Sequence, residues 1–267
     1  MSARLGADPC TLTGHVALVT GAGQGVGRAI AHRCADLGAT VVVNDFHLDR
    51  AEMAAAELTG LGLAASAASC DVTDFDAVQA MVADITDRVG VVDVLVNNAG
   101  NAGASGGSLF GSPPFWQTGP RDWQRWLGAN LFGVLNTTRA VLPHMVEQGW
   151  GRIVSIVSDA GRVGEADLVV YSGAKAGAAG FSRGLARAVG RHGVTVNCVA
   201  LGSMNTDSVS DVTGDPAMLK KVLSGYPIRR LGEPADAANM VGFLASDAAS
   251  WITGQTYPVN GGYSFAV

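Results

Sequence analysis

The sequence has few charged residues, few aromatic residues and few cysteines. Of its 267 residues, 15% are charged and 6% are aromatic, and the four cysteines Cys10, Cys34, Cys70 and Cys198 form no CxxC pair. Cysteines this far apart do not predict a disulfide framework or a zinc site, so we expect reduced thiols, a cytoplasmic location and no metal. The net charge is −5 and no basic run is present. This argues against binding to nucleic acid or to an anionic membrane.

Long apolar segments are also missing. No segment of about 18 uncharged apolar residues is present, as a membrane-spanning helix would require. Residues 1–14 contain no apolar stretch long enough for a signal peptide, and we interpret them as an N-terminal extension. Because 48% of the residues are hydrophobic, the chain can bury a large core, and partner subunits are expected to cover part of the surface.

Short runs rich in valine and isoleucine alternate with longer segments of helical pattern. The predicted strands are residues 15–20, 40–45, 63–69, 92–97, 151–158, 194–200 and 255–260. The predicted helices are residues 25–38, 49–60, 74–89, 121–148, 168–191 and 234–247. Most strand runs are continuously apolar, which indicates strands buried on both faces of a parallel sheet. The pattern predicts one α/β domain over residues 1–267, a doubly wound Rossmann-type fold with a seven-stranded parallel sheet and helices on both faces.

Two long connections interrupt this alternation. They are residues 101–119 and 202–226, and the second contains a predicted short helix at 215–224. Both follow the carboxyl ends of strands, where open α/β sheets bind ligands. Long loops in a compact domain are usually functional or disordered, and the aromatic residues Phe115 and Trp116 favour a lining role. We therefore expect two substrate-side loops, with Phe115 and Trp116 as substrate-contacting residues of the first.

A glycine-rich turn follows the first predicted strand. Its glycines Gly21, Gly25 and Gly27 have the spacing GxxxGxG, which differs from the common GxGxxG fingerprint of dinucleotide-binding turns. Glycines permit a tight turn and close backbone approach to a pyrophosphate, and the start of the next helix supplies free N–H groups. The residues expected to bind a nucleotide cofactor here are Gly21, Gln24, Gly25, Val26 and Gly27.

An acidic residue, Asp45, ends the second predicted strand, 18 residues after Gly27. A carboxylate at this place accepts hydrogen bonds from the adenosine ribose and repels a 2′-phosphate, which favours NAD over NADP. The turn has Gln24 where a basic residue would favour NADP, and only His47 and Arg50 lie close beyond Asp45. The alternative interpretation is that Asp45 is a strand-end turn residue.

Tyr171 and Lys175 are four residues apart in a segment that is otherwise small and apolar. On a helix both side chains share one face. Taken alone, the pair can be a polar pair at a helix edge or a functional pair, and the two residues by themselves leave both interpretations open.

Several motifs together resemble the short-chain dehydrogenase/reductase family, near its 3-oxoacyl-(acyl-carrier-protein) reductase-like branch, over residues 15–262. The motifs are TGAGQGVG (20–27), CDVTD (70–74), NNAG (97–100), LGANLFGV with Asn130, Ser158, YSGAK (171–175), YPIRRLGEP (226–234) and VNGG (259–262). They occur in the order and at the spacing of that family, with Ser158 thirteen residues before Tyr171.

The resemblance implies a catalytic tetrad of Asn130, Ser158, Tyr171 and Lys175. It implies that Tyr171 takes the alcohol proton, that Ser158 holds the substrate oxygen, and that Asn130 holds a water on the proton exit path. It implies that Lys175 binds the nicotinamide ribose. Since a free tyrosine has a pKa of about 10, we expect the nearby ammonium and the oxidised cofactor to lower the pKa of Tyr171.

The resemblance extends the predicted cofactor site beyond the glycine turn. The added residues are Asp71, Val72, Asn98, Ala99, Gly100, Tyr171, Lys175, Gly202 and Thr206. The family's usual Pro-Gly after the sixth strand is Leu201-Gly202 here, which removes proline's fixed φ from that turn. The loop charges Asp159 and Glu165, after the Ser158 strand, are interpreted as solvated, with contact to the substrate as the alternative.

The implied activity is NAD(H)-dependent interconversion of a secondary alcohol and a ketone. The expected substrate is a small molecule with an apolar alicyclic, steroid-like or hydroxyacyl-thioester group, and the NAD preference favours oxidation. The alternatives are an NADP-linked 3-oxoacyl-thioester reductase and a non-catalytic NAD-binding regulatory protein. The resemblance also implies a homotetramer.

Overall fold

Within residues 8–100, 113–206 and 214–265, which the computed structural model describes, seven parallel strands form one sheet. The strands are β1 Val16–Val19, β2 Thr40–Asp45, β3 Ala65–Ser69, β4 Val92–Asn97, β5 Gly151–Ser158, β6 Val194–Leu201 and β7 Thr256–Val259. Their spatial order is β3-β2-β1-β4-β5-β6-β7. The predicted seven-stranded parallel sheet is confirmed, because continuous apolar runs such as that of β1 are buried along their whole length.

Helices cover both faces of this sheet. In the described residues they are α1 Gly25–Asp36, α2 Leu48–Gly60, α3 Phe75–Arg88, α4 Pro120–Leu127, α5 Gly133–Gln148, α6 Ala160–Val163, α7 Val169–Val189, α8 Pro216–Ser224 and α9 Pro234–Leu244. One apolar core joins α1, α2 and α9 to the sheet, and a second joins α3, α5 and α7 to its other face. The doubly wound Rossmann-type fold is therefore confirmed.

The strand order reverses at the centre of the sheet. Strand β1 pairs with β2 on one side and with β4 on the other, so the loops that leave β1 and β4 diverge. Doubly wound sheets bind ligands in the crevice at such a point, outside the carboxyl ends of the strands. The glycine turn after β1 and the NNAG segment after β4 both lie at this edge.

The segment predicted as one helix, residues 121–148, contains a π-helical turn at Gly128–Phe132 between α4 and α5. The turn widens where Asn130 donates from Nδ2 to the Trp126 carbonyl at 3.0 Å. Gly133 lets this wider backbone approach strand-end residues, since a Cβ there would lie 2.7 Å from the Val72 side chain. The predicted helical segment is confirmed in extent, but its π-turn was not predicted, and π-turns of this kind are frequent at functional sites.

The helices predicted over 74–89 and 234–247 begin within one residue of the predicted start, and so does the helix predicted over 49–60. Asp74 caps α3 by accepting from Ala77 N at 3.1 Å, and Pro234 is the first residue of α9. Helix α2 begins at Leu48 with His47 at the cap, so Asp49 lies inside the first turn. A carboxylate there still favours the helix through the positive potential of its N-terminus.

Within the described ranges, every helix is too short or too polar to cross a membrane. Residues 8–14 of the N-terminal extension pack on the domain, where Leu12 is buried and donates from its backbone N–H to the Leu37 carbonyl at 2.7 Å. Residues 1–7 of that extension, and residues 101–112 and 207–213 of the two predicted loops, lie outside the described residues.

Candidate active site

Three elements bring the predicted tetrad to the carboxyl edge of the sheet. Asn130 comes from the π-turn, Ser158 ends β5, and Tyr171 and Lys175 lie on the first two turns of α7. A Cβ added to Gly100 would lie 2.5 Å from Asn130 Oδ1 and 3.3 Å from Lys175 Nζ, so those two side chains meet where β4 ends. Ser158 lies close enough to Tyr171 to lower the pKa of its phenol against the effect of burial. The structure thus places the four side chains together in two adjoining pairs.

The amine of Lys175 is buried. The residue is 5% exposed, and its Nζ donates to the Ile156 carbonyl at 2.8 Å. Burial penalises the charged form and lowers the pKa of Lys175 from 10.5 to about 8. The amine therefore stays largely protonated at neutral pH but titrates within a range accessible to an enzyme.

The phenol of Tyr171 packs between polar and aromatic groups. Its ring lies 5.9 Å from Trp126 in an edge-to-face arrangement and 5.8 Å from Lys175 Nζ. Burial raises the pKa of Tyr171, and Ser158 opposes that shift. The expected lowering depended on the amine together with the oxidised cofactor, and in the chain alone burial sets the direction of the shift.

Ser158 has a backbone hydrogen-bond partner. Its Oγ accepts from Ala160 N at 3.1 Å, which closes a tight turn at the end of β5. That contact fixes the hydroxyl oxygen and leaves its proton available for donation. The bond to Ala160 N is therefore compatible with the predicted role of Ser158 in holding the substrate oxygen.

The glycine turn is built for close backbone approach. Gly21 and Gly25 have φ values of +61° and +55°, which favour glycine. A Cβ on Gly27 would collide with the Gly21 carbonyl, so this helical position also requires glycine. Over Gly25 the space is open, with the Thr206 methyl group 3.6 Å from an added Cβ.

The NNAG segment is hydrogen-bonded to the start of the glycine turn. Asn98 Nδ2 donates to the carbonyls of Thr20 and Gly21 at 2.9 Å each, and Ala99 N donates to Thr20 Oγ1 at 3.0 Å. A Cβ on Gly21 would lie only 2.8 Å from Ala99 Cα. Asn98 and Ala99 therefore fix the glycine turn, while Gly100 adjoins Asn130 and Lys175.

Asp45 faces the glycine turn with a buried carboxylate. The residue is 6% exposed. Its Oδ2 accepts a hydrogen bond from Gly23 N, and its Oδ1 accepts one from His47 N, each at 3.1 Å. A Cβ on Gly23 would lie 2.6 Å from Arg50 Cβ, which places the start of that basic side chain beside the turn. Asp45 thus has the strand-end role of the alternative interpretation. It also lies at the place where an adenosine ribose is predicted, and each carboxylate oxygen accepts more than one hydrogen bond.

The other predicted cofactor residues occupy the same edge. Val72 is buried, and Asp71 is exposed and accepts from Thr73 N at 2.9 Å. Gly202 packs closely, since a Cβ there would lie 3.1 Å from the ring of Tyr226 and from Asn260 Cα. Dense packing fixes the turn after β6 in place of the missing proline.

The aromatic loop residues differ in their placement. Phe115 stacks on Trp123 at 5.6 Å and lines a cleft between α4 and the start of α7. Trp126 also lines this cleft and packs against Tyr171. Trp116 is 82% exposed and lies outside the lining. Of the two predicted substrate residues, Phe115 is the one placed near the tetrad.

Sequence reasoning missed Asp159. We interpreted it as a solvated loop charge, but it is 3% exposed and receives hydrogen bonds from Arg162, Asn260 and Ser264. Arg162, three residues later, is the one local signal of a paired carboxylate. Asn260 and Ser264 are about a hundred positions away and gave no signal.

We also examined whether the cysteines are reactive and whether the acidic groups bind a metal. Burial raises the pKa of Cys34 to about 12 and that of Cys70 to about 11, which makes both thiols unreactive. Among the described residues there is no group of three or more His, Cys, Asp or Glu side chains with metal-binding geometry.

Comparisons with known proteins agree with this geometry. A family model described as enoyl-(acyl carrier protein) reductase matches residues 21–264. The 7alpha-hydroxysteroid dehydrogenase of Escherichia coli is 36% identical, with 96% of each chain covered. The 3-oxoacyl-(acyl-carrier-protein) reductase of Pseudomonas aeruginosa is 37% identical over 94% of this chain and 98% of its own. The structure of a gluconate 5-dehydrogenase from Burkholderia cenocepacia, in complex with NADP and tartrate, has a TM-score of 0.89, 32% identity and coverage of 97% and 99%.

Proposed function

Because this chain belongs to the short-chain dehydrogenase/reductase family, we propose that it interconverts a secondary alcohol and a ketone with NAD(H). The relatives named for a hydroxysteroid, a 3-oxoacyl thioester and gluconate support this reaction class, and the gluconate dehydrogenase was solved with NADP. The proposed catalytic residues are Asn130, Ser158, Tyr171 and Lys175. One observation carries the proposal: the Ser158–Tyr171 pair and the Asn130–Lys175 pair adjoin at the edge that also holds the glycine turn.

The residues present fit a dinucleotide. The turn over Gly25 is open, and the side chain of Gln24 leaves the N–H groups at the start of α1 uncapped. Such N–H groups and the positive end of a helix suit a pyrophosphate. When bound, the nicotinamide ring accepts the hydride from the alcohol or returns it to the ketone.

The chain's own residues handle the proton. Tyr171 takes the alcohol proton during oxidation, and Ser158 donates to the substrate oxygen and orients it. Lys175 stabilises the phenolate by its charge and holds a ribose hydroxyl, and Asn130 positions a water on the path to solvent. Because burial raises the pKa of Tyr171 in the chain alone, the rate of oxidation should rise with pH until the phenol is ionised.

Asp45 supports NAD as the cofactor. Its carboxylate is held toward the turn by Gly23 N and His47 N, so an added 2′-phosphate would face a buried negative charge. The alternative, an NADP-linked 3-oxoacyl-thioester reductase, is favoured by Arg50, which begins beside Gly23, and by the relative solved with NADP. Both cofactors therefore belong in the test.

The cleft supports an apolar substrate. Phe115, Trp123 and Trp126 line one part of it, and Trp126 packs against Tyr171. That part suits an alicyclic, steroid-like or hydroxyacyl-thioester group, and the remaining lining includes the charged residues Asp122, Arg125 and Asp167. The relatives named for a hydroxysteroid and for a 3-oxoacyl thioester support the same classes.

A cytoplasmic homotetramer is the proposed assembly. Trp251 is 99% exposed and Phe132 45% exposed, and large exposed apolar side chains are common where subunits meet. Light scattering of the purified protein is expected to give four times the chain mass of 27.2 kDa.

The deciding experiment follows reduction of NAD and of NADP by absorbance. The alcohols are a 3-hydroxyacyl-CoA, a cyclic secondary alcohol and a hydroxysteroid. Tyr171→Phe is expected to lower kcat by about 10²- to 10⁴-fold because it removes the proton acceptor, and to change NAD affinity far less because the ring remains. Tyr257→Phe on β7 is the matched control and should keep its activity.

Each other outcome has a defined meaning. Turnover with NADP alone would contradict the Asp45 argument and favour the thioester reductase. NAD binding without turnover of any alcohol, in a wider panel as well, would favour a non-catalytic protein. Full activity of Tyr171→Phe would remove Tyr171 from the mechanism.

A further inference from the structure

The carboxylate of Asp159 lies directly after Ser158 and is buried. Oδ1 accepts from Arg162 at 2.7 Å and from Ser264 Oγ at 3.0 Å, and Oδ2 accepts from Asn260 Nδ2 at 2.6 Å. A buried carboxylate is costly unless each oxygen is paired and hydrogen-bonded. Two of its three donors come from residues 260–265, which we name the C-terminal segment, so the carboxylate depends on that segment.

Arg162 holds the same segment from a second direction. Besides Asp159, its guanidinium donates to Ser264 Oγ at 2.7 Å and to the Phe265 carbonyl at 2.9 Å. Asn260 also donates to the Ser264 carbonyl at 2.9 Å, which folds the segment back on itself. The C-terminal segment is therefore attached through a charged network, not through an apolar core.

Tyr263, in the middle of the segment, joins two loops at the edge of the site. Its hydroxyl donates to Glu165 Oε1 at 3.2 Å, and its ring stacks on Tyr226 at 5.2 Å. Tyr226 in turn accepts from Ser203 N through its hydroxyl at 2.9 Å. The segment thus bridges the loop after β5 and the loop after β6.

One attachment, Asp159, neighbours a site residue directly, and Glu165 and Tyr226 each reach a neighbour of one through a further hydrogen bond. Asp159 follows Ser158, and Ser203 follows Gly202. Glu165 donates from its N–H to Ser172 Oγ at 3.2 Å, and Ser172 follows Tyr171. The segment also follows β7, whose last residue Val259 pairs with Leu201, so it lies at the same edge of the sheet as the proposed site.

We propose that Asp159 is a positioning residue that holds the C-terminal segment against the site, where Tyr263 forms one wall of the substrate pocket. This inference rests on the proposed dehydrogenase function. A wall contributes to substrate binding and takes no part in proton or hydride transfer, so its loss should raise KM and leave kcat nearly unchanged.

The first test needs no substrate. Hydrogen exchange is measured on Asp159→Ala, on Asp159→Asn and on the exposed control Asp76→Ala. The amides of Gly262 and Tyr263, which bond to Asn260 Oδ1 and to the Asn260 carbonyl, should lose protection at least about tenfold in Asp159→Ala. Protection in β1 and β4 should be unchanged, and Asp159→Asn, which keeps acceptor oxygen and size, should be intermediate. Unchanged protection of Gly262 and Tyr263 would overturn the proposal.

The second test uses the best alcohol of the panel and saturating NAD. Asp159→Ala should raise KM about tenfold or more, with kcat and the NAD Kd within about threefold of the wild type. Tyr263→Ala should raise KM similarly without loosening the segment. The variant with both Asp159→Ala and Tyr263→Ala should have the same KM as Asp159→Ala, because that change alone already displaces Tyr263 from the pocket.

The outcomes separate this inference from the proposed function. A wild type that turns over no alcohol contradicts the proposed function itself. An active wild type with unchanged KM in Asp159→Ala contradicts only the wall. A fall in kcat with constant KM would mean that Asp159 acts through Ser158 and not through the segment, which also overturns the proposal.

Discussion

Arg152 and Lys175 are basic side chains buried at opposite ends of the sheet, and their surroundings differ. Arg152, at the amino end of β5, is 3% exposed, donates to Asp247 Oδ1 at 2.8 Å and lies over the Trp150 ring at 4.3 Å. Lys175, at the carboxyl end, has the neutral Ile156 carbonyl as its acceptor, and no carboxylate of the described residues forms an ion pair with it. At the amino end an ion pair keeps Arg152 charged, whereas at the carboxyl end Lys175 has no ion-pair partner among the described residues and can lose its proton more easily.

The pKa shifts follow from that difference. Burial lowers the pKa of both groups, but the Asp247 carboxylate opposes the shift of Arg152. The pKa of Lys175 falls to about 8. A group that gains and loses its proton near neutral pH suits catalysis. Because its pKa is lowered by burial of the charged form, that burial destabilises the folded state.

Removal of the amine of Lys175 should give the largest effects. The unfolded chain binds this proton with a pKa of 10.5 and the folded chain with a pKa of about 8, so the charge opposes folding by about 3 kcal/mol below pH 8. The hydrogen bond to Ile156 offsets about 1 kcal/mol. Lys175→Met should therefore stabilise the cofactor-free protein by about 2 kcal/mol at pH 7, while turnover falls about 10²- to 10⁴-fold.

Urea unfolding at pH 7 and at pH 10 checks the sign. The stabilisation should shrink as the pH rises from about 8 toward 10.5, since the wild type then loses the buried charge. A variant that is less stable than the wild type at pH 7 would show that Lys175 is a structural residue and would remove the contrast with Arg152.

The same substitution at the amino end should have the opposite sign. Arg152→Met removes the ion pair with Asp247 and the donations to the Gly151 and Gly193 carbonyls at 3.1 and 3.2 Å. We expect a loss of about 2 kcal/mol in the free energy of unfolding, with turnover unchanged within about twofold. The exposed residue Arg187 offers the matched control Arg187→Met, which should change stability by less than about 0.5 kcal/mol. A drop in kcat for Arg152→Met would mean that the two ends are coupled.

The sequence predicted the fold because the strand runs are local patterns. The continuous apolar residues of β1 and β5 and the glycines after β1 need no distant partner to be recognised. The carboxyl-edge motifs were found for the same reason. Asp159 was misinterpreted because its donors Asn260 and Ser264 are distant in sequence.

The site's electrostatics were harder to predict than its composition. Sequence spacing placed Lys175 one helical turn from Tyr171. It did not show that the Ile156 carbonyl accepts the N–H of Lys175. Burial of Tyr171, which raises its pKa, depends on Trp126 from another helix. The π-turn at Asn130 arises from Gly128, Gly133 and a side-chain bond to the Trp126 carbonyl, none of which changes the helical period.

The smallest expected effect tests the aromatic part of the amino end. His15 stacks on Trp150 with ring centroids 3.9 Å apart and its Nδ1 lies 3.5 Å from Asp93 Oδ2. Asp93 keeps two other partners, Val16 N and Gln148 Nε2 at 2.9 Å each, so His15→Ala leaves no unpaired carboxylate. The stability loss should be about 1 kcal/mol, the contribution of one aromatic stack.

His47→Ala at the carboxyl end is the matched control for that variant. His47 is exposed and meets Phe46 edge-on at 5.2 Å, and its backbone N–H to Asp45 survives the substitution. Its stability without cofactor should change by less than about 0.5 kcal/mol. Equal losses at the two positions would show that the stack adds nothing beyond ordinary surface packing, and the amino end would then owe its stability to the Arg152–Asp247 pair alone.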